Sequence, residues 1–191
     1  MNKQLAKKTE IEVSLSDQIT ALENSNIIPK GTPPAQIQLF MMTCQMSGLN
    51  PIKKEAYLVP YKDKKANRMN YHIIVGVGGQ RKIAADTGLY AGCDAATFDG
   101  GMSTYEFMQS ANKLPTTCSY TVYKIVKGIR VPFTAEVVFS EYSSGKQLWH
   151  AEYGKPHTMI SKVAEIHALR KAFPEELSAY YIEEEVDAGT V

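Results

Sequence analysis

Apolar and polar positions along the chain divide it into helical and extended stretches. Residues 14–25 (SLSDQITALENS) predict a short helix capped by Ser14 or Ser16, after a frayed stretch over 1–13. The connector NIIPKGTPP follows. Pro33 and Pro34 then open a helix through AQIQLFMMTCQMS, with Gly48 ending it and Ile37, Phe40, Met41, Cys44 and Met46 forming a broad apolar face. Segments 55–61 (EAYLVPY) and 71–76 (YHIIVG) read as strands of a hairpin joined by the charged turn KDKKANRMN. A helix from Val77 to Thr87 ends at Gly88, 89–98 reads as a strand, and 99–116 reads as a loop. Strands are expected at 117–126 and 130–142, separated by Lys127, Gly128 and Ile129. A SSGK turn and LWHAEYGKPH lead to a helix over roughly 157–173, which stops before Pro174.

Helices and antiparallel hairpins without a βαβ rhythm predict an α+β fold. The expected divisions are an N-terminal segment over 1–32, a core domain over 33–177 and an acidic tail over 178–191. No stretch approaches the ~18 uninterrupted apolar residues of a membrane span, and the N-terminus lacks the apolar region of a secretory signal. Three widely spaced cysteines (Cys44, Cys93, Cys118) make neither a disulfide framework nor a metal knuckle; they read as small buried apolar side chains in a reducing cytosol.

The net charge of +1 hides a segregation. All 21 Lys and Arg lie at or before Lys171, whereas six of the 20 acidic residues follow Pro174, so residues 1–174 carry +7 and the last 17 carry −6. A basic body suggests a polyanionic partner, with the tail either packed elsewhere, competing for the basic surface, or simply solvated.

Catalytic patterns are missing. GVGGQRK lacks the GxxxxGK[ST] of a phosphate loop, and GxGxxG would need glycine at Arg81. Its glycines suit a tight strand-to-helix turn, although the helix N-terminus behind them is suited to meeting a phosphate. His72, His150, His157 and His167 form no paired ligand spacing; there is no GxSxG elbow, and the carboxylates are scattered. An enzyme is therefore not expected, nor a cofactor or metal.

Basic residues recur with aromatic or polar companions in four places: Lys53, Lys54, Tyr57, Tyr61 and Lys62; Lys64, Lys65 and Arg68 at the hairpin tip; Arg81 and Lys82; and Lys155, His157, Lys162, Arg170 and Lys171. At 100° per residue, Lys155, Lys162 and Arg170 fall within about 80° of one another, and Lys162 and Arg170 stand roughly 12 Å apart along the axis. Lys171 points away from Lys162. Because the rest of this helix is largely apolar, the basic stripe faces either a groove, open solvent, or carboxylates such as Glu165 or those of the tail. Tyr57 and Tyr61 share a strand face, serving as core residues or, if exposed, as a stacking platform for bases.

Three segments in order, GLNPIKKEAYLVPYK (48–62), IIVGVGGQRKIAADTG (73–88) and TMISKVAEIHALRKAFPEELSAYYIEEE (158–185), resemble the RecT/Redβ family of phage single-strand annealing proteins. The resemblance covers about residues 34–185. It implies an α+β annealing core that assembles into rings or helical filaments in the cytoplasm of a bacterial host. It also implies ATP-independent binding of single-stranded DNA and annealing of complementary strands in recombination, the nascent duplex being held in a basic groove. By the motif match Lys54, Arg81, Lys162 and Arg170 are the leading backbone contacts, with Lys155, His157, Lys62 and Lys82 beside them. Gly78 stands where the family often has Asp, Ser178 and Ala179 where a Gly pair is common, and His157 where Arg or Lys is usual. Family members are usually longer, with a C-terminal extension that engages partners such as a phage exonuclease or the host single-strand binding protein; this chain is expected to be a trimmed or minimal member. The competing reading is a nucleic-acid-processing enzyme such as a nuclease with an unrecognised carboxylate site. A double-strand-binding regulator would need an exposed recognition helix, which the sequence does not offer.

Overall fold

The computed structural model describes residues 14–63, 67–110, 114–143, 145–182 and 185. The expected frayed segment 1–13, the hairpin-tip Lys64 and Lys65, and the tail carboxylates Glu183, Glu184 and Asp187 lie outside them. Helices and antiparallel sheets are mixed, as the sequence pattern predicts, and no helix among the described residues is long and apolar enough to cross a membrane.

Helix α1 (Leu15–Asn24) is capped by Ser14, whose hydroxyl accepts from the Asp17 N–H at 3.2 Å. Helix α2 (Pro34–Met46) starts on the Pro33–Pro34 pair and is stopped by Gly48 at φ +63°. Its inward face is Ile37, Phe40 and Cys44; Met46, placed on that face from the sequence, is 85% exposed because it lies in the last turn, beyond the core. Strands β1 (Ala56–Asp63) and β2 (Arg68–Val75) form the first hairpin, pairing Ala56 with Val75 and Asp63 with Arg68. Ala56, Leu58 and Val75 pack into a core shared with α1, α2 and the C-terminal helices.

Helix α3 (Val77–Asp86) follows β2 at once. This turn requires glycine at Gly79: a Cβ there would overlap the Glu55 carbonyl oxygen and crowd Val75. The predicted strand at 89–98 is two short ones, β3 (Tyr90–Cys93) and β4 (Thr97–Phe98). The expected loop over 99–116 holds β5 (Met102–Ser103) and α4 (Thr104–Gln109). A reciprocal capping box starts α4: Ser103 Oγ accepts from Glu106 N–H, and Glu106 accepts from Ser103 N–H at 2.7 Å.

Strand β6 (Thr117–Val126) is the centre of the second sheet. Strand β7 (Ile129–Val138) pairs along its whole length through a two-residue turn, Lys127–Gly128, both at positive φ. Strands β3 and β4 follow one another along its other edge, and β5 extends β4. The strand predicted to reach residue 142 ends at Val138, and Phe139–Tyr142 form a helical turn, α5, that buries Phe139. Helix α6 (Pro156–Ala172) lies against β6 and β7 on one side and α3 on another, which explains its nearly all-round apolar surface. The short α7 (Pro174–Leu177) precedes a returning segment in which Tyr181 bridges Ile74 of β2 and Ile182 is buried.

Candidate nucleic-acid interface

A groove of about 450 Å³ lies between the first hairpin, the start of α3, α6 and the returning C-terminal segment. Tyr57, Val59 and Ile74 line it from the hairpin, Gly76, Val77 and Gly78 from the α3 N-terminus, Lys162 and Ile166 from α6, and Ile182 from the returning segment; Lys54 stands at its side. Among the described residues none that lines it is acidic. The first-turn N–H groups of α3 lack acceptors within the helix, so that end is favourable to an anion. A larger hollow of about 890 Å³ between α1 and α2 has no Lys or Arg among the described residues of its lining.

Local structure places each groove cation. Lys54 follows a 3-10 turn (Pro51–Lys53) capped by Asn50 and takes the left-handed conformation at φ +60°, its N–H donating to the Pro51 carbonyl at 2.8 Å. That conformation costs a non-glycine residue about 1 kcal/mol. Lys162 projects from α6 between buried Ile160 and Val163 and is exposed.

The other expected contacts are placed differently. Arg81 is held by Glu165 of α6, its Nε donating at 2.5 Å and its Nη2 at 2.6 Å to the two carboxylate oxygens. Glu165 is 3% exposed, and its hydrogen bonds hold the guanidinium firmly charged, raised above its ordinary value. Arg170 is likewise paired: Nη1 and Nη2 donate to Glu185, and Nη2 also donates to the Tyr180 carbonyl. Helical spacing alone predicts Arg170 in one stripe with Lys155 and Lys162. In the structure Arg170 turns to the returning segment, and Lys155 is the N-cap of α6, off the helical path at φ −134°, ψ 59°. Lys82 pairs with Asp86 one turn on at 2.5 Å, a bond that raises its pKa. Lys62 is exposed on the hairpin face opposite Tyr61, and His157 is half-buried in the first turn of α6. Lys171 reaches the other way, donating to the Thr134 carbonyl of β7 at 2.9 Å. The structure therefore brings together Lys54 and Lys162, and ties Arg81 and Arg170 to carboxylates.

Sequence reasoning missed two carboxylates. Glu165 was open to pairing but not assigned to Arg81, which is 84 positions away; Glu185 was counted as tail. Of the cysteines, Cys44 and Cys118 are buried, with thiols pushed up to about 11 by desolvation, but Cys93 is exposed and accepts from the Tyr120 hydroxyl. The expectation of three buried cysteines fails at Cys93 because β3 is a short strand at the sheet margin. Among the described residues no group of three His, Cys, Asp or Glu side chains is placed to hold a metal ion.

Fold and groove together define an α+β domain with a cationic cleft beside a β-hairpin. The chain belongs to the RecT family, whose model matches residues 13–190. It is also 34% identical over 136 residues to the uncharacterized protein UU154 of Ureaplasma parvum serovar 3 (strain ATCC 700970), a match covering 71% of this chain and 51% of that protein. The chain thus spans about half the length of the curated relative it matches.

Proposed function

We propose that this chain binds single-stranded DNA along the Lys54–Lys162 groove and anneals it to its complement, without ATP and without covalent chemistry, in phage-type recombination. The observation that carries this reading is the convergence of Lys54, Lys162 and the α3 N-terminus on one groove, with no carboxylate among the described residues that line it. Pairing two strands requires that phosphate repulsion be neutralised while base edges stay free; lysines and helix N–H groups bind phosphate without reading sequence. Lys62, Lys82, Lys155 and His157 are proposed as outlying contacts. Arg81 and Arg170 are assigned a framework role, holding α3 and the returning segment against α6.

Assembly of many copies as a ring or helical filament multiplies these contacts along a strand. A phage exonuclease and the host single-strand binding protein, in the bacterial cytoplasm, are the proposed partners. The nuclease alternative gains no support from the described residues: with magnesium, labelled strands should change their pairing and keep their length.

The deciding experiment is salt-dependent fluorescence anisotropy on unrelated single strands. Each phosphate contact contributes about 0.7 to the slope of log K against log salt. Lys54→Ala and Lys162→Ala should each lower the slope by about that amount, equally for every sequence. Unchanged slopes in both variants, with folding intact, would remove the groove from the site.

A further inference from the structure

The outer face of the first hairpin carries aromatic rings that phosphate neutralisation leaves unused. Alternation along β1 puts Tyr57, Val59 and Tyr61 on one face, opposite Ile74, His72 and Asn70 of β2. Tyr57, Val59 and Ile74 belong to the groove wall. Beyond them the face continues as a row of three rings. Tyr61 meets His72 edge-on, with centroids 5.8 Å apart and planes at 69°, and His72 meets Tyr181 at 6.2 Å and 88°. Tyr61 is 39% and Tyr181 41% exposed, so the two outer rings are open to solvent where a core role would close them.

Tyr181 reaches this row through the returning segment. The Val75 N–H donates to the Tyr181 carbonyl at 3.2 Å, Arg170 donates to the Tyr180 carbonyl, and Ile182 is buried next in sequence. The Arg170–Glu185 pair thus anchors a segment whose exposed ring extends a surface begun by the hairpin.

We infer that Tyr61, His72 and Tyr181 form a base-stacking platform that receives the bases of a single strand whose phosphates lie on Lys54 and Lys162; this rests on the groove reading proposed above. Two properties favour bases as the occupant. The row continues the face that walls the cationic groove, so a bound strand meets both cations and aromatic rings on adjoining surfaces. Stacking engages base faces and leaves the pairing edges free, as annealing demands.

The test compares Tyr61→Leu and Tyr181→Leu with Tyr61→Phe and Tyr181→Phe, using a fluorescein-labelled oligothymidylate and an abasic strand of equal length. Each Leu variant should bind oligothymidylate roughly ten-fold more weakly, the Phe variants should keep parental affinity, and all should bind the abasic strand as the parent does, with unchanged salt slopes. Because Tyr181 holds its place through its backbone, thermal melts should match the parent; should Tyr181→Leu unfold, Tyr61→Leu decides. Leu variants with parental affinity, or weakened equally on both strands, overturn the platform. The groove reading fails separately, through unchanged salt slopes in Lys54→Ala and Lys162→Ala, and the two failures are therefore distinguishable.

Discussion

Arg170→Ala separates a framework role from a DNA contact. The guanidinium is largely enclosed, its side chain 17% exposed; it pairs through two nitrogens with Glu185, whose side chain is 11% exposed, and it donates to the Tyr180 carbonyl. Glu185 in turn accepts from the Ile182 N–H at 3.1 Å, so the carboxylate ties the returning segment to α6. Removing the guanidinium takes the charged partner from a carboxylate that keeps the Ile182 N–H, and a donor from the Tyr180 carbonyl, in a poorly solvated site, at about 3–5 kcal/mol. In a protein of this size 1 kcal/mol shifts Tm by about 2–4 °C, so a loss of roughly 6–20 °C is expected, and calorimetry reads it directly. Glu185→Gln keeps an acceptor for Arg170 and should cost less. In anisotropy titrations at a temperature where the variant is folded, the salt slope for single-stranded DNA should equal the parent's. An Arg170→Ala protein with parental Tm and a slope lowered by about 0.7 would refute the framework role and restore Arg170 as a phosphate contact.

Gly79→Ala forces a Cβ onto the Glu55 carbonyl and should destabilise by about 1–3 kcal/mol in urea unfolding, whereas Gly78→Ala, with open space and an ordinary φ, should stay within about 0.5 kcal/mol. Native protein should expose one fast-reacting thiol to a disulfide reagent, Cys93, with Cys44 and Cys118 reacting only after unfolding. His167 faces the Tyr142 hydroxyl at 2.9 Å and Glu185 at 3.6 Å, with Arg170, Lys171 and Glu141 nearby, and burial lowers its pKa below 6.5. A lowered histidine pKa means that the unfolded chain takes up the proton first. This contribution is therefore fully present above the unfolded value of about 6.5 and is lost as pH falls below it, by at most about 1.4 kcal/mol per pH unit. His167→Gln should flatten that part of the Tm–pH profile.

Most regular elements were legible because their local signals agree with their packing. The Pro33–Pro34 start and Gly48 stop of α2, the β1–β2 hairpin, and the Gly76–Gly88 frame of α3 each combine periodicity with a boundary residue. The stretch 99–116 was misread although Ser103 and Glu106 carry the capping-box spacing. Its two glycines and the short apolar run behind them hid a helix of only six residues. The end of β7 was overrun because Phe139 is buried in phase with Val137, so alternation continues across the change from strand to helical turn.

The site was legible in its residue types but not in its pairing. Helical spacing fixes the angle between Lys162 and Arg170; it does not say what stands opposite each. Lys162 faces the hairpin and the α3 N-terminus across open space, while Arg170, eight residues further along, meets a carboxylate delivered by a chain reversal after α7. Arg81 and Glu165 are joined across 84 positions in the same way. In both pairs a largely enclosed carboxylate takes up the charge that a count of basic residues had assigned to DNA. The +7 of residues 1–174 already sets Glu165 against Arg81, and Glu185, from the last 17 residues, takes up one further charge at Arg170. The acidic C-terminal residues are likewise not a single solvated tail: Glu185 is buried against α6, and the segment it anchors carries Tyr181 and Ile182 to the hairpin and the groove. We propose that the folding unit runs from α1, whose Leu22 joins the core, to at least Glu185, so that cutting the chain after residue 177 removes a wall of the groove along with its charge.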